Sequence, residues 1–174
     1  SSAPTATNAA WNDASIPINF HIATGGIDGF SITWDGFDFG RKLAVGAMLF
    51  YIGNAATLGN FIVSGLLDKY PKMKIVSVES GIGWIPFLLE ALEYQVDEMM
   101  PGKGLQRRPI EYFRDQMFAS FWFEKAAPQK MLDIIGPDNV MFETDFPHPT
   151  SIYPDPQAQI IEALNALAAD TRPD

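Results

Sequence analysis

The sequence predicts an α/β fold built on a parallel sheet, and three observations carry that prediction. Short β-branched or apolar runs alternate four times with stretches of helical periodicity. No obvious hairpin signal joins one strand to the next, and parallel strands need long, usually helical, crossovers. The polar residues with chemical potential, His21, Glu79, Glu124, Glu143, Asp145 and His148, fall at or just past the carboxyl ends of the strands. Ligands gather there in open doubly wound sheets and in (β/α)8 barrels alike. No phosphate motif supports a nucleotide fold: G-x-G-x-x-G after a strand and G-x-x-x-x-G-K-[ST] are both absent, and "GGIDG" lacks the pattern. The barrel type is therefore the expected one.

Each element follows in order. The opening "SSAPTATNAAWND" is polar and small, a loose lead-in over residues 1–14 with neither the charged start nor the apolar stretch of a signal peptide. "SIPINFHI" (Ser15–Ile22) is the first strand, ending near His21. A Gly- and aromatic-rich loop follows; its Trp34, Phe37 and Phe39 either line a substrate pocket or cover the barrel mouth. Leu43 to Leu67 is 25 residues without a charge, long enough to cross a bilayer. Asn54, Thr57, Asn60, Ser64 and four glycines argue instead for two helices, broken near Gly53 and buried in a core or a subunit interface. "MKIVSVES" (Met73–Ser80) is the second strand, followed by helical spacing of Ile85, Leu88, Leu89, Leu92 and Val96. Trp84 fits helix-to-barrel packing, and Glu93, Asp97 and Glu98 a solvated helix face. "DQMFASFWF" is the third strand, and "APQKMLDIIG" a short helix with Pro128 in its first turn and Gly136 just past its end. "NVMFETDF" is the fourth strand, and "DPQAQIIEALNALAAD" a closing helix.

Composition sets the outer bounds. The 174 residues, 47% hydrophobic, suffice for one domain with a real core. A net charge of −9 argues against nucleic acid or an anionic membrane as partner, and Arg107 with Arg108 is too short a basic cluster to change that. With no cysteine there is no disulfide frame and no thiolate metal site. A cytoplasmic protein acting on a small molecule is the expectation.

"IPINFHI", "GLLDKYPKMKIVSVESGIGWIPFLLEALEYQVDEM" and above all "NVMFETDFPHPTSIYP" resemble the amidohydrolase-related family, metal-dependent (β/α)8-barrel hydrolases and decarboxylases. The resemblance runs from about Trp11 to the end, so 1–174 reads as a single partial barrel domain. It implies one divalent metal in the barrel mouth, zinc first and manganese as the alternative. In the family the ligands are an H-x-H pair from the first strand, a His ending the fifth and an Asp ending the eighth. His21 matches the fifth-strand His, and Asp145 the eighth-strand Asp, which in the family also helps activate water.

Two departures follow. His21 and His148 are the only histidines, so no H-x-H exists, and the four units match strands five to eight, the carboxyl-terminal half of a barrel. Glu79 stands where the family often has a strand-six His, which bears on decarboxylation. Glu79 is expected as a general base or as a partner orienting His21, with metal ligation a third option. Glu143 is either functional or salt-bridged, and by strict alternation shares a face with Asp145. His148 is a substrate contact or a loop-shaping hydrogen-bonder, and Trp34 is the other candidate for substrate binding. Three functions stand: a metal-dependent hydrolase or carbon–carbon lyase acting on a small carboxylate- or amide-bearing substrate once its barrel is whole; a catalytically incomplete half-barrel persisting as a homodimer; and an unrelated α/β binding module. Bare sheet edges invite association, so a homo-oligomer is expected. With two ligands missing, the chain by itself is expected to hold little metal and to turn over little substrate.

Overall fold

The computed structural model describes residues 13, 15–22, 31–102 and 104–170, with only the backbone of 163, 164 and 166–170. Apart from Asp13, the lead-in lies outside the described residues, as does "GGIDG". Four strands, β1 (Ile18–His21), β2 (Ile75–Val78), β3 (Met117–Phe121) and β4 (Val140–Phe142), form one sheet in that order. Every pairing is parallel, with Ile18 opposite Ile75, Ile75 opposite Met117, and Ala119 opposite Val140. All four carboxyl ends therefore lie on one side.

The helices are α1 (Phe39–Leu49), α2 (Tyr51–Val63), α3 (Leu66–Lys69), α4 (Ile85–Met99), α5 (Pro109–Gln116), α6 (Ala126–Lys130), α7 (Leu132–Ile135) and α8 (Pro156–Asp170). Asp38 caps α1 by accepting the Arg41 N–H at 2.9 Å. The charge-free run breaks at Phe50, whose N–H turns back to the Ala47 carbonyl, and not at Gly53. Gly53 is buried inside α2; one interior glycine costs a helix only about 1 kcal/mol, which packing offsets. α5 is a helix where the sequence suggested strand from Asp115. Pro109 opens it, and the Glu111 carboxylate accepts the Arg108 N–H at 2.7 Å. The expected helix over 127–136 comes as two short pieces, α6 and α7, with Gly136 at φ 101° past the second. β4 is shorter than the expected strand, ending at Phe142 before the turn that carries Asp145.

One face of the sheet is covered. Ile75, Met117 and Ala119 are wholly buried with Leu58, Ile62, Ile82, Ile85, Tyr112 and Phe113. The opposite face is open at its outer strands. In β1, exposed Asn19 and His21 alternate with half-buried Ile18 and Phe20, and in β4 Met141 is 40% exposed. No further strand pairs with the outer edges of β1 or β4 among the described residues. This is a partial barrel, its inner face open at β1 and β4 and its edges bare where the remaining strands of a closed one would lie.

One expectation about surfaces needs correcting. Glu93 and Asp97 are not simply solvated: both bind Arg108, whose Nη1 lies 2.7 Å from Asp97. The stretch Phe39–Val63 is long and apolar enough to cross a membrane by length and composition, and a third of its apolar 18-residue window, of mean hydropathy 1.3, is buried within the chain. α2 supplies core residues Leu58 and Ile62, whereas Phe39 and Met48 on α1 are 75% and 64% exposed.

Candidate metal centre

Two turns build the site. Glu79 follows β2 at φ 57°, and Asp145 comes three residues after β4 at φ 57°. Left-handed backbone at residues other than glycine costs about 1–3 kcal/mol and collects at functional places. Here it is held from outside. The Glu79 N–H donates to Ser120 Oγ at 3.0 Å and to Glu143 Oε1 at 2.9 Å, while the Ser120 hydroxyl donates to the same Glu143 oxygen at 2.7 Å. Glu143 thus ties the ends of β2, β3 and β4 together through hydrogen bonds, and burial pushes its carboxyl above the ordinary range.

The Glu79 carboxylate is the hub. One oxygen meets His21 Nε2. The other lies 3.1 Å from His148 Nδ1, which is 2.7 Å from Asp145 Oδ1. Thr150 Oγ1 donates to Asp145 Oδ2 at 3.1 Å. Ligating atoms of Glu79, Asp145 and His148 all lie within 4.8 Å of one another. Burial, then Asp145, raises the Glu79 pKa, and His21 and His148 only partly oppose this. Asp145, and secondarily Glu79, raises that of His148.

The donor set fits a divalent cation. Two carboxylates held side by side out of water repel each other, and a cation between them removes that cost. Carboxylate and imidazole donors suit zinc and manganese alike.

His21 and Asp145 stand on the two outer strands' ends, on the same side of the sheet, and meet through Glu79. His148, read from sequence as a substrate contact or loop-shaper, stands inside the donor cluster. The signal was in the motif: Asp145 and His148 are three residues apart in a turn closed by the His148 N–H to Asp145 carbonyl bond of 2.9 Å. Trp34 is not brought to the site. It is 78% exposed, its ring near Phe37, and it does not line the neighbouring cavity.

That cavity, about 700 Å³, has Glu79, Ser80 and Thr150 on its polar side and Met48, Tyr51, Trp84, Trp122 and Phe123 on its apolar side. Trp84 stacks on Tyr51 and donates to the Ser80 carbonyl at 2.8 Å, so it walls the cavity besides packing. Glu124 also borders it. Its carboxylate accepts the N–H groups of Ile82 at 2.9 Å and Gly83 at 2.8 Å, fastening the loop that follows Glu79. Burial raises its pKa and these bonds oppose that. Sequence placed Glu124 at a strand end without this role. A second concavity of about 520 Å³ beside Arg107 and Arg108 shares no residue with the cluster.

A four-stranded parallel sheet whose carboxyl ends carry clustered acids and imidazoles is that of a partial (β/α)8 barrel. The Amidohydrolase family model matches residues 7–174, and the chain belongs to that family, which removes the unrelated binding module. The fold is similar to an amidohydrolase from Mycobacterium avium subsp. paratuberculosis K-10 (TM-score 0.72, 21% identity, 91% of this chain and 39% of that one). It is similar to 5-carboxyvanillate decarboxylase from Sphingomonas paucimobilis (0.64, 25%, 95% and 47%). It is also similar to 5-carboxyvanillate decarboxylase from Novosphingobium aromaticivorans, solved with manganese (0.60, 19%, 95% and 45%). The chain thus spans under half the length of these structures.

Proposed function

We propose that this chain forms the carboxyl-terminal half of a divalent-metal-dependent hydrolase or carbon–carbon lyase acting on a small carboxylate- or amide-bearing molecule. The observation that carries the reading is the convergence of Glu79, Asp145 and His148 at the carboxyl ends of the strands, beside a cavity of about 700 Å³. Family membership supports it, as does the likeness to a decarboxylase at 25% identity. Glu79, Asp145 and His148 would hold the cation, with His21 adjoining through Glu79. When bound, the cation supplies Lewis acidity and neutralises an anionic substrate. The chain's own groups do the rest. Tyr51, Trp84, Trp122 and Phe123 hold the apolar part of the substrate and exclude water. Glu79 also fixes the His21 ring, whose Nε2 meets its carboxylate. Asp145 orients the His148 ring.

The test pairs this chain with a fusion carrying the four amino-terminal βα units of the Sphingomonas decarboxylase. The chain alone should bind zinc or manganese weakly and show little turnover. The fusion should bind stoichiometric metal, and Asp145→Asn should lower its affinity by about 10-fold or more. Hydrolysis and decarboxylation screens then decide the reaction, and a fusion that folds but neither binds metal nor turns over sinks the reading. A catalytically incomplete homodimer is the second reading, favoured by the bare edges of β1 and β4.

A further inference from the structure

The charge-free run Leu43–Leu67 contains a polar side chain with no contact to solvent. Asn54, in α2, is 0% exposed. Its Nδ2 donates to the carbonyls of Phe20 at 3.0 Å and Val78 at 3.4 Å, and to Ser77 Oγ at 2.9 Å. Phe20 and Val78 are the residues immediately before His21 and Glu79. Asn60 and Thr57, in the same helix, bond only to carbonyls of their own helix, Ala56 and Gly53. The Asn54 side chain alone among these three reaches across to the sheet.

Packing does not account for it. Asparagine is a poor interior helix residue, a buried amide is costly unless bonded, and Asn54 Oδ1 is buried without a partner. A leucine there would carry none of these costs. What the amide provides is one pair of N–H groups shared by the ends of two strands. We infer that Asn54 is a positioning residue, fastening the carboxyl ends of β1 and β2 so that His21 Nε2 meets the Glu79 carboxylate. Its value to metal binding rests on the function proposed above; its effect on the His21–Glu79 contact does not.

The chain's two histidines make a direct test practicable. Long-range 1H–15N imidazole correlations report the bonding of each ring nitrogen, and His148→Gln assigns the two sets. In Asn54→Leu and Asn54→Ser, the His21 Nε2 signal should move to that of a ring nitrogen without a carboxylate partner, Nδ1 keeping its contact with the Ile22 carbonyl, while the His148 signals stay. Asn60→Ala, on the same helix but away from the sheet, should leave both unchanged. Manganese titration of the same variants should show affinity about tenfold lower, the usual effect of losing a group that orients ligands. If the unaltered chain holds too little manganese to titrate, the same variants are titrated in the fusion described above; failure of that fusion to bind metal sinks the metal reading, and the histidine signals still judge Asn54. Unchanged His21 signals in both variants overturn the inference. So does loss of both histidine sets together with the fold in both variants, which would make Asn54 a support of the core only.

Discussion

Glu79, Glu124 and Glu143 all have carboxyl groups held above the ordinary range, burial being the first cause in each. The unfolded chain gives up these protons at lower pH than the folded one, so stability falls as pH rises from the ordinary glutamate range through the raised values. His148, raised by Asp145, acts in the same direction: its contribution is complete below the ordinary imidazole pKa and is lost as pH rises through the raised one. Asp97 is held low by Arg108, and its small exposed contribution is lost only on strong acidification. The metal-free protein should therefore melt at progressively lower temperature from about pH 5 to about pH 8, and manganese should flatten the slope by compensating Glu79 and Asp145. Scanning calorimetry across that range checks it, and a melting temperature that climbs with pH would refute the assignment of these groups.

The loop between β2 and α4 shows how an element can depend on one distant carboxylate. Gly81 has φ 70°, and a Cβ there would sit 2.8 Å from Glu124 Oε2. Gly81→Ala should cost about 1–3 kcal/mol, measurable by urea unfolding; a neutral result would show that the loop is free of Glu124. Elements of this kind divide what sequence reveals from what it hides. "MKIVSVES" declares β2 through its β-branched residues, and the strand order follows from alternation with helices. α5 stays hidden because "PIEYFRDQ" is eight residues long and runs without a break into the apolar β3. The site was half legible. His21, Glu79 and Asp145 stand out as strand-end residues, but the contact between Glu79 and His148, 69 residues apart, depends on left-handed backbone that no local pattern announces. Asn54 looked like evidence against a membrane span; its reach to two strand ends needs the packing of α2 on the sheet.

At the scale of the whole molecule, the open inner face, the two bare edges and the exposed apolar residues of α1 set the same expectation. Surfaces of this kind associate. Sedimentation of the purified chain without detergent should show a dimer or larger species at micromolar concentration; a well-folded monomer would mean that these surfaces tolerate water. The sheet order has a different consequence, for synthesis. Each strand pairs with the strand made just before it, and none waits for a later segment to slip between neighbours. Contacts can therefore form in the order in which the ribosome releases the chain, each new βα unit closing on a template already present. Nascent chains arrested after β2, β3 and β4 should gain protease resistance in steps, the bare edge moving outward by one strand each time.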